Sequence, residues 1–207
     1  MTLLDRALSE EHRDVLDRAD AFVEETLAPR TEEIERTREF PRDVVEAAGD
    51  AGLLGILVPE AYGGLGGDFL SYCLALERIA EENSAVAETI QGHTFAALPV
   101  LNFGTQEQQN RLLPKLAAGE SVGAMLLTEP DAGSSPTELG TVAEVTDDGY
   151  LLSGEKSFGT NAGVADVHLV VARKRPQPDD SHGVSVFLVP NPDDVEGFSF
   201  ERGEYLG

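Results

Sequence analysis

The sequence predicts an α+β protein in two parts, an all-α amino-terminal domain over residues 1–120 followed by a β domain over residues 121–207. Two observations predict this. Up to about residue 120 the apolar residues recur at three- and four-residue steps, the period of amphipathic helices; after Glu120 they gather in short β-branched runs separated by turn residues. A chain of 207 residues, 41% apolar and 26% charged, is long enough to bury a real core and has the composition of a folding globular protein.

From Ser9 to about Thr37, the residues Val15, Leu16, Ala19, Phe22, Val23, Leu27 and Ile34 mark one amphipathic helix, with a kink expected near Pro29. A second helix is expected over Pro41 to Ala51, with Pro41 at its first position and Gly52 as its stop. The apolar run Leu53 to Pro59 ends at a turn, and Tyr62 to Gly67 is too rich in glycine for helix or strand. We read this glycine cluster as a turn between a short extended segment and a helix. It is not a dinucleotide fingerprint, because no βαβ unit surrounds it. Helices follow over Asp68 to Glu82 and Ser84 to Phe103, each opened by a residue suited to capping. Thr105 opens another, ending near Gly119, and Gln108 completes the spacing of a capping box. Short loops let neighbouring helices pack directly.

Strands are expected at Val142 to Val145, Tyr150 to Leu152, Val167 to Val171 and Val184 to Val189. Asp147-Asp148-Gly149 reads as a turn and Lys174 to His182 as an exposed loop.

Charge narrows the function classes. With 38 Asp and Glu against 15 Lys and Arg, the net charge of -23 would repel nucleic acid. Lysine occurs only at Lys115, Lys156 and Lys174, and the acidic excess is spread along the chain, which suits a salt-rich cytoplasm where the charges are screened. An acidic protein of an ordinary host is the alternative. Cys73 is the only cysteine, so an intramolecular disulfide is impossible, and we expect it to pack. Met1 to Glu10 has no signal-peptide pattern and no apolar run reaches membrane-spanning length, so the chain is read as cytoplasmic with no membrane partner. His12, His93, His168 and His182 lack ligand spacing, and no metal is expected. No Gly-x-Ser-x-Gly elbow is present for a serine hydrolase.

Two segments of the β half could carry chemistry. In Met125-Leu126-Leu127-Thr128-Glu129-Pro130-Asp131-Ala132-Gly133-Ser134-Ser135 a strand runs into a turn whose backbone N–H groups, with the Thr128 and Ser134 hydroxyls, could bind a flavin edge or an anion. In Gly154-Glu155-Lys156-Ser157-Phe158-Gly159-Thr160-Asn161-Ala162-Gly163 an aromatic ring precedes a hydroxyl by two residues, so that one could stack on a ring system and the other bond to its edge. Taken locally, the first reads sooner as a plain strand-to-loop junction, and Phe158 could be plain core and Thr160 a turn residue.

Together with Gly55-Ile56-Leu57-Val58-Pro59-Glu60-Ala61-Tyr62-Gly63-Gly64 and Phe103-Gly104-Thr105-Gln106-Glu107-Gln108-Gln109 upstream, these segments form an ordered series over essentially the whole chain that resembles the acyl-CoA dehydrogenase family. The resemblance implies a helical domain, then a barrel- or sandwich-like middle β domain, left incomplete at Glu204-Tyr205-Leu206-Gly207, and a carboxy-terminal helical bundle beyond this chain. It implies FAD as cofactor, lined by Met125, Leu127, Thr128, Gly133 and Ser134 on one side and by Phe158, Gly159 and Thr160 on the other, with Thr160 near flavin N5. Ser134 would also border the acyl-CoA thioester arm, and Gln91, His93 and Phe95 the acyl-chain cavity. The implied reaction is α,β-desaturation of an acyl-CoA, with electrons passing to electron-transfer flavoprotein. A dimer or homotetramer is implied, and a separate chain could supply the bundle.

No catalytic residue is assigned: the base usually comes from the bundle, and Glu129 and Glu60 read as structural, so this chain by itself is expected to be inactive. A truncated non-catalytic relative, serving as a binding module or surviving as a gene relic, and a flavin acyl-CoA oxidase or monooxygenase are the rival readings. The chain departs from the family pattern at Phe158, where Trp is frequent, at Gly159, where a β-branched residue is usual, at Leu126 and Glu138, where small residues are common, and at Ser135, where Asp is.

Overall fold

The computed structural model describes residues 8–135, 138–147, 149–175, 183–190 and 195–203. The chain divides into two compact units, Met1–Val122 and Gly123–Gly207.

In the helical unit, α1 (Glu10–Phe22) opens at Ser9, whose hydroxyl accepts from the His12 N–H at 3.2 Å while His12 Nδ1 accepts from the Ser9 N–H at 3.1 Å. This is a capping box closed by histidine instead of the usual Glu or Gln. The helix expected to run on to Thr37 is broken. Val23–Leu27 winds as a wider turn in which the Ala28 N–H reaches back to the Val23 carbonyl; Ala28–Arg30 then tightens into a 3₁₀ turn and α2 (Thr31–Thr37) resumes. Pro29 explains the break, because it has no N–H to donate and its ring would strike the carbonyl four residues back.

Helix α3 (Arg42–Asp50) begins one residue later than expected, with Pro41 as cap and its carbonyl accepting from the Val45 N–H at 3.1 Å. The following apolar run is not extended. Leu53–Gly55 forms a 3₁₀ turn, and Leu53, Leu54, Ile56 and Val58 are all buried. A coiled path suits this run because it sends four apolar side chains into one core within six residues.

The remaining helices are α4 (Phe69–Glu82), α5 (Ser84–Phe103) and α6 (Gln106–Ala117). Asp68 caps α4, accepting from the Ser71 N–H at 2.8 Å. The cap of α5 is Asn83 and not Ser84: its carboxamide oxygen accepts from the Val86 N–H at 3.0 Å, and Asn83 is buried. The expected box at α6 is present in both directions, Gln108 N–H to Thr105 Oγ1 at 3.3 Å and Thr105 N–H to Gln108 Oε1 at 2.8 Å. Helix α5 is apolar on nearly all sides, as the central helix of a bundle is, and carries Ile90 and His93 into the same interior as Ile79, Leu113 and Leu116. Cys73 does not pack as expected. The buried face of α4 is Ser71, Tyr72, Leu74, Ala75 and Ile79, and Cys73 falls on the outward side with Glu77 and Ala80. No helix among the described residues is long and apolar enough to cross a membrane.

The second unit is built on β4 (Val167–Arg175), buried from Val167 through Ala172. Strand β5 (Val184–Pro190) lies antiparallel along one of its edges. The other edge is shared: β1 (Gly123–Leu126) pairs in parallel with Val167 to Val170, and β2 (Val142–Thr146) in parallel with Arg173 to Arg175. Strand β3 (Gly149–Ser153) closes a hairpin with β2.

Each expected strand is present. Strand β1 starts two residues before Met125, and β4 runs on to Arg175, into the stretch read as a loop. Residues 176–182 of that loop, Asp148 of the expected turn and 204–207 lie outside the described residues. Among the described residues the strands form one open mixed sheet, not a closed barrel, because β4 offers its two edges to three partners and no further pairing joins β3 to β5.

Candidate functional site

Strand β1 ends at Leu126, and the chain turns back on itself through Pro130 and Asp131. Glu129 and Ala132 exchange backbone hydrogen bonds across this turn, at 2.7 Å and 3.3 Å. Gly133 and Ser134 emerge exposed. Gly133 lies back over the half-buried Thr128: a β-carbon on it would sit 3.9 Å from Thr128 Cγ2. The side chains of Met125 and Leu127, one strand period apart, both pack half-buried against Ala132, Leu139 and Val171.

The Gly154 to Gly163 segment runs beside this strand exit. The Ser157 N–H donates to the Thr128 carbonyl at 2.8 Å, and Asn161 Nδ2 donates to the Gly123 carbonyl at 3.2 Å. Phe158 is 74% exposed, with φ at 55°. The core reading of this ring is thereby overturned. A bulky residue in the left-handed region costs about 1–2 kcal/mol and persists where surrounding contacts impose it. Here the turn from Gly159 to Ala165 imposes it, with Ala162 N–H bonded to the Gly159 carbonyl at 3.0 Å and Ala165 N–H to the Asn161 carbonyl at 2.9 Å. Gly159 and Thr160 are half-buried beside the ring. The segment's first residue, Gly154, has φ at 154°, and a β-carbon there would stand 2.4 Å from Thr141 Oγ1, so only glycine fits.

The two segments are joined by a buried ion pair. Lys156 Nζ lies 2.7 Å from Glu129 Oε1 and donates also to the Leu127 carbonyl at 3.0 Å, with the two side chains 9% and 7% exposed. The carboxylate accepts further from the N–H groups of Gly140 and, at 3.0 Å, Thr141. Burial by itself would push the Glu129 carboxyl up, but the Lys156 ammonium and the Thr141 and Gly140 donors overcome it and hold the group down to about 2. Glu129 is therefore charged, fully bonded and structural. Lys156 was not singled out from sequence, although one signal was available: it is one of three lysines in a chain whose other cations are arginine, and it stands inside a motif.

A corresponding tie joins the two upstream motifs. Tyr62 Oη donates to Gln109 Oε1 at 2.9 Å and accepts from Gln106 Nε2 at 2.8 Å, while Gln109 Nε2 reaches the carbonyls of Leu101 and Gly104.

The expected acyl-chain residues do not share a face. On α5, Gln91 is half-buried and Phe95 46% exposed on one side, and His93 is fully buried on the other. Burial lowers the His93 imidazole to about 4, against a weaker opposing hydrogen bond to the Leu116 backbone. A histidine held neutral in the fold contributes stability that is present above its ordinary value of 6.5 and lost as pH falls toward about 4. Urea titrations across this window are expected to show a stability slope of the order of 1 kcal/mol per pH unit that His93→Phe removes. An unchanged slope would assign the loss elsewhere. His12 and His168 are also structural: His12 Nε2 bonds Asp68 at 3.0 Å, and the buried His168 bonds the Ala162 carbonyl at 2.6 Å. Among the described residues no three His, Cys, Asp or Glu side chains gather as a metal site.

A helical unit followed by a mixed sheet, with the two candidate loops locked together beside its β1 strand, defines an α+β protein of two compact units. The chain belongs to the acyl-CoA dehydrogenase family: residues 9–120 match the acyl-CoA dehydrogenase N-terminal domain and residues 124–207 the middle domain. It is 40% identical over 184 residues to an acyl-CoA dehydrogenase of Bacillus subtilis, a match covering 88% of this chain and 48% of that protein. The butyryl-CoA dehydrogenase structure from Megasphaera elsdenii matches with a TM-score of 0.85 at 34% identity, over 96% of this chain and 52% of that one. An acyl-CoA dehydrogenase complexed with FAD from Bacillus anthracis matches equally, with a TM-score of 0.85 and 34% identity, over 97% of this chain and 34% of that one. The chain thus spans about half the length, or less, of these relatives.

Proposed function

We propose that this chain forms the FAD-binding part of an acyl-CoA dehydrogenase, acting in the α,β-desaturation of an acyl-CoA thioester. The observation that carries this is the Glu129–Lys156 lock, which holds the Thr128 and Ser134 hydroxyls, the Gly133 backbone and the exposed Phe158 ring with Thr160 in neighbouring loops. Such a set fits a flat heteroaromatic group: a ring for its face, with hydroxyl and N–H donors for its edge. The FAD bound by the Bacillus anthracis relative supports the choice of cofactor.

Bound FAD would supply the acceptor for the β-hydrogen, leaving as hydride. Thr160 and Phe158 would orient the ring system, Thr128 and Gly133 would hold its edge, and Ser134 would border the thioester. Met125 and Leu127 would contribute backbone groups, since their side chains pack against Ala132, Leu139 and Val171. Gln91 and Phe95 suit an acyl-chain lining, whereas the buried His93 would act only through packing. The α-proton needs a desolvated carboxylate of raised pKa, the opposite of Glu129, so Glu129 is not proposed as the base. Electron-transfer flavoprotein is the proposed acceptor and a homo-oligomer the proposed assembly.

FAD titrated into the folded protein is expected to give a weak, saturable change in the flavin spectrum, about tenfold weaker in Thr160→Ala, the loss of one hydrogen bond. A folded protein that leaves the flavin spectrum unchanged at saturating FAD would refute the reading.

A further inference from the structure

We infer that Leu126 and Gly159 form a size-matched pair that positions the Phe158 to Thr160 loop, with Leu126 filling from β1 the space a side chain at residue 159 would otherwise take. The role toward cofactor rests on the flavin reading above; the packing does not.

Leu126 is the last residue of β1, in register with Val170 on the central strand, and is 5% exposed. A β-carbon built on Gly159 would stand 2.6 Å from Leu126 Cδ2 and 3.1 Å from Ala162 Cβ. Gly159 is not among the glycines with left-handed backbone, so its conformation does not demand glycine. What meets a side chain there is the buried Leu126 side chain, whose Cδ2 would have to shift to admit it. Ala162 would have to give only a few tenths of an ångström.

The consequence reaches the loop's two presenting groups. Gly159 lies between Phe158 and Thr160, and Phe158 and Asn161 are both fixed in the left-handed region, at 55° and 68°. A turn so constrained moves as a piece. With its glycine resting against a buried leucine, the height of the Phe158 ring and the Thr160 hydroxyl above β1 is set by the bulk at residue 126. Leu126 is a positioning residue by this reasoning and touches no reacting atom.

The test is a double-mutant cycle in the full chain, Gly159→Val, Leu126→Ala and both together, read by thermal unfolding and by the flavin absorption band at saturating FAD. Gly159→Val is expected to lower Tm by roughly 5 °C or more through overpacking, and Leu126→Ala to lower it through a cavity. The double variant should recover at least half of the summed loss, and return the flavin band to its wild-type position and shape where each single variant shifts it. Losses in Tm that simply add would overturn the pair. Recovery of Tm with the flavin band still displaced would overturn the positioning role. If wild type binds no FAD while Tm recovers, the flavin reading fails and takes the positioning role with it, and the packing exchange stands. Gly159→Ala with Leu126→Val provides the milder cycle should the valine variant not fold, judged by the same criteria.

Discussion

Replacing Lys156 by methionine is expected to cost about 3–5 kcal/mol of stability, the typical loss when one partner of a buried ion pair is removed and the other charge is left behind. The geometry puts this pair at the severe end. Glu129 would keep its Gly140 and Thr141 donors but lose the nearest cation from a site where it is only 7% exposed, and the Leu127 carbonyl would lose a donor as well. The acid response should change too. Glu129 is held down to about 2 in the fold against an ordinary 4.5, so its contribution is present above 4.5 and fades as pH falls toward 2. Without Lys156 burial pushes the carboxyl up, protonation in the fold relieves the stranded charge, and the variant should lose less stability than wild type as pH falls below 4.5. Urea unfolding from pH 7 down to about pH 3 measures both effects. The double variant Glu129→Gln with Lys156→Met should be more stable than Lys156→Met, since a neutral amide removes the stranded charge. If the single variant loses under about 1 kcal/mol, the pair is not the lock proposed for the two loops.

Much of the fold was legible because its signals are local. Thr105 and Gln108 are three residues apart, and both halves of their box can be read directly from the sequence. The choice between Asn83 and Ser84 as cap could not be read so, because both residues suit the role and tertiary burial of Asn83 decides it. Pro29 announced a kink, but its position could not show that the chain would widen upstream and tighten at the proline. The separation of His93 from Gln91 and Phe95 was in principle readable, since helical positions two apart lie about 200° apart around the axis.

The site was legible as a list of residues and hidden as a machine. Glu129 and Lys156 are 27 residues apart, and what joins them is the passage of the second loop beside the end of β1, a tertiary fact. The exposure of Phe158 had the same origin: an aromatic between β-rich segments reads as core until a positive φ, imposed by the turn after it, directs the ring outward. Leu126 and Gly159 are 33 positions apart, and only the fold shows that a β-carbon on Gly159 would stand 2.6 Å from Leu126 Cδ2. The open sheet also depended on pairing, because no property of β4 as a segment tells that β1 and β2 share one of its edges.

Raising KCl from about 0.05 M to about 1 M is expected to raise Tm by about 10 °C or more, because it shortens the Debye length from more than 10 Å to about 3 Å around a chain of net charge -23. The cations present do not neutralise this charge in the fold. Arg18 pairs with Asp14, Arg30 with Glu33 and Asp43, and Arg78 with Asp20 and Glu81, but every carboxylate in these pairs is about half exposed or more, and pairs of that kind contribute little. Asp and Glu outnumber Lys and Arg by 23, so screening by salt is a direct way to relieve their repulsion. Screening and general salting-out can be separated by their ranges. Screening acts mostly below about 0.5 M and is the same for chloride and sulfate at equal ionic strength, whereas exclusion from the surface keeps growing at higher concentration and favours sulfate. A steep early rise common to both salts would support a fold adapted to a salt-rich interior. A Tm that stays flat below 0.5 M and climbs only in sulfate would show that the acidic surface needs no screening, and the adaptation reading would be abandoned.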